Sequence, residues 1–201
     1  MIVLASRSAV RVKLLRDAGV DFDTDAADLD EDALVLGIVD PARQAALLAE
    51  AKALHVAKRW PGRFVLGGDQ VGIALPDARD VVGATLQKPR DPAHHVALLM
   101  SMSGKTHRFH PAAALVKDDV VIAAVADVVD VTFWGFSEEV ARRYVATGEG
   151  VGSCGGYESE HRGAQLIERV EGSLQAVLGF PLLLVLPMLR AHCPVEAGLL
   201  R

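Results

Sequence analysis

Only two cysteines, Cys154 and Cys193, occur among the 201 residues. Neither stands in a C-x-x-C pair or at zinc-ligand spacing, so a disulfide framework and a thiolate metal site are set aside. Free thiols in a reducing cytoplasm are expected instead. Aromatic residues make up 5% of the chain, too few for the stacking platforms that hold single-stranded nucleic acid. Positive charge is in deficit as well: 21 Lys and Arg face 26 Asp and Glu, a formal net charge of -5. A mildly acidic chain lacks the basic face that nonspecific DNA or RNA binding needs, although local cations can still hold one small polyanion. Long hydrophobic runs are missing too. The longest, 176–189, is interrupted by Gly179, Pro181 and Pro187 and falls short of the roughly 20 residues that span a bilayer. The opening Met-Ile-Val-Leu-Ala-Ser-Arg has no basic stretch ahead of an apolar run and does not read as a signal peptide. No repeat, low-complexity tract or linker interrupts the chain. The expected setting is cytoplasmic, with neither nucleic acid nor membrane as partner.

What the chain has is apolar bulk: 51% hydrophobic against 23% charged residues. That proportion specifies a globular protein with a sizeable core, one domain over 1–201 or two small lobes around one cleft. The run 2–5 reads as a buried strand, followed by a helix over 9–18 capped by Ser8 and stopped by Gly19. Residues 21–32 read as an exposed strand and loop. Asp40-Pro41 and Asp91-Pro92 each combine an N-cap with a first-turn proline, opening helices over 41–59 and 92–102. Residues 64–67 form a buried strand that continues extended over 71–75, with a turn at 76–80 and a returning segment at 81–83. The β-rich runs 106–116 and 120–133 are joined by a hairpin at Lys117-Asp118-Asp119. A helix follows over 137–147, then a glycine-rich loop over 148–163. Strands over 165–170 and 173–178 flank a turn at Glu171-Gly172. A C-terminal helix starts at Phe180, with a frayed tail after His192. Helices and strands alternate, yet two strands pair through a tight turn, so the fold class is α/β, a twisted mixed β-sheet flanked by helices.

Short charged words stand far apart in this apolar background. Gly68-Asp69-Gln70 follows the strand of Phe64, Val65 and Leu66. Its two glycines let the backbone approach a ligand, and Asp69 would lie at a strand end, where open α/β sheets place their ligands. Taken alone, Asp69 reads equally well as a turn aspartate bonding its own backbone. Ser6, Ser8 and Arg11 surround a helix start, whose free amides, hydroxyls and guanidinium suit phosphate oxygens. An ordinary capped helix with a solvated arginine has the same pattern. Lys52 sits amid alanines on a long helix, where a lysine is usually solvated. In Lys88-Pro89-Arg90 a proline fixes two cations at set separation, as it also would in a surface turn. Gly150-Val151-Gly152-Ser153-Cys154-Gly155 matches G-x-G-x-x-G but follows a helix rather than a strand, which argues against a dinucleotide site. The seven histidines show no metal-ligand spacing, and Cys154 has no identifiable partner base.

Read together and in order, these words resemble the Maf family of nucleoside triphosphate pyrophosphatases over nearly the whole chain. Leu4-Ala5-Ser6-Arg7-Ser8-Ala9-Val10-Arg11 resembles the family's LASxSPxR opening, with Ala9 in place of proline. Glu31 matches its acidic position. Lys52 matches the lysine of its EKA word, here Glu50-Ala51-Lys52-Ala53 with one residue more between Glu and Lys. Asp69 matches its GxD aspartate, Lys88-Pro89-Arg90 its KPR, and Gly179-Phe180-Pro181-Leu182 its late GLPL. The resemblance implies hydrolysis of a triphosphate to monophosphate and pyrophosphate, aided by Mg2+ or Mn2+. It implies Asp69 as proton acceptor, Glu31 and Asp69 at the metal, and Ser8, Arg11, Lys52 and Lys88 on phosphate oxygens. It also implies the mixed-sheet fold and a homodimer.

Three positions bear on the base. Val10, Gln70 and Glu160 depart from the dTTP/UTP branch of the family. Gln70 and Glu160 resemble the branch acting on 7-methyl-GTP, whose members carry SDQV and SEG words. Glu160 can accept hydrogen bonds from a guanine edge and favour its positive charge. Tryptophan is common in that branch where Val10 stands here, and valine cannot stack on a cationic base. The pair His161-Arg162 also replaces small residues before Gly163. The expected substrate is 7-methyl-GTP, in housecleaning of modified nucleotides. The alternatives are a dTTP/UTP or other modified-nucleotide pyrophosphatase, and a regulatory nucleotide-binding protein linked to septum formation.

Overall fold

Alternation along the first strand sets the layering. The computed structural model describes residues 1–75 and 84–200; the expected turn at 76–80 and return at 81–83 lie outside the described residues. In β1 (Ile2–Ala5) all four side chains are buried. Ile2 and Leu4 join Leu66, Leu115, Phe180 and Leu189 in one cluster, while Val3 and Ala5 join Ala53, Val56 and Val65 in another. A strand covered on both faces reads as an unbroken apolar run, and Ile-Val-Leu-Ala is one.

Among the described residues, seven strands form one mixed sheet in the order β2-β1-β3-β4-β6-β7, with β5 pairing β4 off that path. The chain divides into two compact units, the first made of Met1–Gln70, His110–Asp127 and Gly179–Arg201, the second of Val71–Phe109 and Val128–Leu178. In the first unit β1 lies parallel to both β2 (Phe22–Thr24) and β3 (Phe64–Ala74), with Val3 opposite Val65. The connections are α1 (Ala9–Asp17), α2 (Glu31–Val35) and α3 (Pro41–Ala57). Strand β4 (Thr106–Lys117) pairs antiparallel with β5 (Val120–Ala126) through Lys117-Asp118-Asp119. Asp118 and Asp119 take φ of 47° and 63° there, the twist a two-residue hairpin turn requires. The last helix, α7 (Leu182–His192), closes this unit.

The second unit holds α4 (Pro92–Met102), β6 (Val129–Phe133), α5 (Glu138–Val145), β7 (Ile167–Glu171) and α6 (Leu174–Val177). Here Thr106–Phe109 pair antiparallel with β6, and β6 with β7. The core gathers Leu99, Met102, Phe109, Val131, Phe133 and Tyr157. No helix among the described residues is long and apolar enough to cross a membrane.

The caps fall where expected: the side chains of Ser8, Asp40 and Asp91 accept from Arg11, Ala42 and His94 backbone amides, and Gly19 has φ +72°. Other expectations are corrected. The 21–32 segment includes the start of α2, capped by Asp30 accepting from Ala33 N at 3.1 Å. The run 120–133 is two strands, broken after Ala126. Residues 173–178 are not a strand: Ser173 accepts from Ala176 N and starts α6, after Gly172 leaves the strand at φ +131°. Over 193–199 the tail is held rather than frayed. Cys193 and Ala197 are fully buried, and the Ala197 carbonyl accepts from Asp21 N at 2.9 Å.

Candidate active site

Helix α3 turns Ala45, Leu48, Ala49, Ala53 and Val56 inward, a stripe of mostly small residues at helical spacing. Small residues let a helix come close to a sheet, and here it comes close to Gly67. A Cβ on Gly67 would lie 2.1 Å from the Ala49 carbonyl oxygen. On the other side of the strand, a Cβ on Gly68 would lie 2.7 Å from Phe180 Cε2. The two glycines therefore admit this protein's own helix and phenyl ring rather than a ligand, which corrects the expectation drawn from them.

Asp69 is placed by the same contact. It lies within β3, five residues before the strand ends at Ala74, and not at a strand end as expected. Residues two apart share a strand face, so Asp69 points with Gly67 toward α3. There the Lys52 ammonium meets Asp69 Oδ1 at 2.5 Å and Glu31 Oε2 at 3.0 Å. The Lys52 and Asp69 side chains are only 12% and 11% exposed, whereas Glu31, the first residue of α2, is 49% exposed. Thus one cation from mid-helix holds a buried carboxylate and a half-exposed one.

A second group gathers at the start of α1. Ser6 Oγ accepts from Ser8 N at 3.1 Å and from Arg11 Nη1 at 3.4 Å, and Ser8 Oγ accepts from Arg11 N at 3.4 Å. Each hydroxyl keeps its own proton to donate. The Arg11 guanidinium is spent on backbone: Nη1 donates to the Gly68 carbonyl at 2.8 Å and Nε to the Gly179 carbonyl at 3.0 Å. Burial pulls the Arg11 pKa below its ordinary value, while the charges of Asp69 and Glu31 pull it back up. Arg11 thus ties α1 to β3 and to the turn before α7, next to the carboxylates. Val10 is half-buried on α1. Gln70 follows Asp69, and its Oε1 lies 3.2 Å from where a Gly179 Cβ would stand; Gly179 has φ +91°, a conformation that favours glycine.

Ser8, Arg11, Glu31, Lys52 and Asp69 therefore come together in the first unit. Lys88 and Glu160 belong to the second unit, and both are exposed there. Lys88 stands just ahead of α4, where Arg90 N donates to His94 Nδ1 at 3.2 Å. Glu160 lies between short 3-10 turns at Cys154–Gly156 and Arg162–Leu166. The roles of Gly67 and Gly179 were not read from the sequence. The signal for the first was the Ala49/Ala53 spacing on the facing helix, and for the second its place in the Gly-Phe-Pro-Leu word.

Among the described residues, no group of three or more His, Cys, Asp or Glu could hold a metal ion. A divalent cation that keeps water and takes phosphate oxygens needs only one or two carboxylates from the protein. Glu31 and Asp69, already sharing a cation in Lys52, fit that requirement.

The family model described as "Maf-like protein" matches residues 1–192. A protein from Rhodopseudomonas palustris (strain BisB18) named "Nucleoside triphosphate pyrophosphatase" is 38% identical over 94% of this chain and 92% of its own length. Two proteins named "7-methyl-GTP pyrophosphatase" are also similar. The one from Mesorhizobium japonicum is 36% identical and the one from Rhizobium johnstonii 35%, each over 94% of both chains. The solved structure of a HAM1 protein from Coxiella burnetii is similar at 20% identity and a TM-score of 0.40, over 66% of this chain and 72% of that one.

Proposed function

Because the chain belongs to the Maf-like protein family, we propose that it hydrolyses nucleoside triphosphates to the monophosphate and pyrophosphate. The observation that carries this reading is the Lys52 ammonium between Glu31 and Asp69, beside the serine-lined start of α1. Cleavage at the α-phosphorus needs a positioned water, a base for its proton, and cations against the charge of the phosphate chain. Asp69 is 8% exposed and takes the proton as the water oxygen bonds to phosphorus. The bond from that phosphorus to the bridging oxygen breaks, and the electron pair leaves with pyrophosphate. Ser8 donates a hydrogen bond from its hydroxyl to a phosphate oxygen, and Lys52 gives an ammonium donor. Arg11 holds the Gly68 carbonyl, and so the strand carrying Asp69, while its charge adds to the cationic field. Glu31 and Asp69 would hold Mg2+ or Mn2+, which supplies charge neutralisation and polarises a phosphate oxygen.

For the base we favour 7-methyl-GTP. Gln70 and Glu160 support it, and relatives at 35% and 36% identity carry that name. The absence of an aromatic side chain at Val10 weakens discrimination against unmethylated GTP, because a cationic base then has no ring to stack on. The test is pyrophosphate release from dTTP, UTP, GTP and 7-methyl-GTP with Mg2+ and with Mn2+, on the wild type and Glu160→Gln. The wild type should favour 7-methyl-GTP, and Glu160→Gln should lose that preference. A preference for dTTP or UTP overturns the base assignment. Absence of turnover on every triphosphate overturns the hydrolase.

A further inference from the structure

We propose that Lys52 is the resident cation of the nucleotide-free protein, occupying the Glu31–Asp69 pair and opposing a divalent metal until a triphosphate draws its ammonium away. This rests on the reading that these two carboxylates hold the metal. Two carboxylates that converge on one point, one buried and one half-exposed, repel unless a cation stands between them. Lys52 Nζ supplies that cation at 2.5 and 3.0 Å. A metal binding alone would have to evict the ammonium from its two carboxylates while its side chain is only 12% exposed and no triphosphate is there to receive it. A triphosphate binding alone would take the ammonium and leave the carboxylates uncompensated beside its own negative charge. When both arrive, the metal takes the carboxylates and the phosphate oxygens take the ammonium, so carboxylates and ammonium each keep an opposite charge beside them. Metal and triphosphate therefore bind cooperatively, each raising the affinity of the other by the same factor.

The side chain suits an exchangeable cation. Lysine is a point charge on a flexible stem that changes partners without a fixed fork geometry. Its backbone is held by the approach of α3 to Gly67, so exchange moves the head and not the helix. Arg11 cannot serve, because its guanidinium is held by the Gly68 and Gly179 carbonyls.

The experiment is titration of the nucleotide-free protein with Mn2+, followed by the electron paramagnetic resonance signal of the free ion. Wild type, Lys52→Gln, Lys52→Met and the double variant Lys52→Gln/Asp69→Asn are compared. Either Lys52 variant should bind Mn2+ about ten-fold or more tightly than the wild type. Mn2+ should also raise the Tm of the variant by more than it raises that of the wild type. The double variant should lose the gain, placing the ion at Asp69. Lys52→Met preserves the stem and serves if Lys52→Gln does not fold. Equal or weaker Mn2+ binding by a folded Lys52 variant overturns the inference and leaves the hydrolase reading standing. A gain that survives in the double variant, or no Mn2+ binding by any protein even at millimolar concentration, overturns the carboxylate metal site along with it.

Discussion

Both units bury polar side chains, and they do so in opposite ways. In the first, Asp69, 8% exposed, meets an ammonium, a second carboxylate and the field of a buried guanidinium. In the second, the buried polar groups lie among rings and backbone. His95, 1% exposed, donates from Nε2 to the Gly156 carbonyl at 2.5 Å. His107, 1% exposed, bonds Tyr157 Oη at 2.8 Å and packs edge-on to Phe109, Phe133 and Tyr157. Burial pushes His107 down to about 4, with Asp130 opposing that shift, and pushes the Tyr157 hydroxyl well above its ordinary value. Burial by itself therefore does not mark a reactive site. A charge kept inside by convergent opposite charges marks chemistry, whereas a polar group kept neutral among rings marks packing.

The largest effect expected from this contrast is on turnover. Asp69→Asn retains shape and removes the base, so pyrophosphate release should fall by about 10²–10⁴-fold. His107→Phe should leave turnover within about two-fold, because it replaces a ring among rings. Equal losses in the two variants would erase the distinction between the units.

Next in size is the helix contact that builds the charged cluster. Gly67→Ala puts a Cβ 2.1 Å from the Ala49 carbonyl oxygen, and neither partner is a flexible side-chain end. The expected cost is about 3 kcal/mol of stability, read by urea denaturation, with a parallel loss of turnover as Lys52 is carried away from Asp69. An unchanged midpoint would refute the role given to Gly67.

Acid sensitivity should belong to the second unit. His107 titrates near 6.5 when unfolded and near 4 when folded, so between those values the unfolded chain binds more protons. Stability then rises with pH through that window and is lost as pH falls from 6.5 toward 4, by about 3 kcal/mol in all. His107→Phe should reduce the slope of stability against pH there by about one proton. The same slope in both proteins would contradict a neutral buried His107.

The smallest effect is local. Asp91 accepts from His94 N at 2.7 Å as the cap of α4, so Asp91→Ala should cost about 1 kcal/mol and leave pyrophosphate release untouched.

The elements that could be read from the sequence are those whose cause lies within a few residues. Asp40-Pro41 and Asp91-Pro92 start helices by capping and by a fixed φ, and Gly19 stops one. Misread elements have causes elsewhere in the chain. The tail after His192 looked free because its partner, Asp21 N, is far away in sequence. Gly68-Asp69 looked like a strand end because glycines usually punctuate strands, whereas here they answer to Ala49, Ala53 and Phe180. The acid and cation residues of the first unit were legible through the family's spaced words. Their pairing was not, because Lys52 reaches Asp69 only once α3 has docked on Gly67.

The most direct test is hydrolysis of a triphosphate in ¹⁸O-water, with both products read by mass spectrometry, on the wild type and Asp69→Asn. Attack at the α-phosphorus predicts one ¹⁸O in the nucleoside monophosphate and unlabelled pyrophosphate from the wild type, and both products reduced by about 10²–10⁴-fold from Asp69→Asn. Label in the pyrophosphate, or undiminished turnover without the Asp69 carboxylate, would contradict the account.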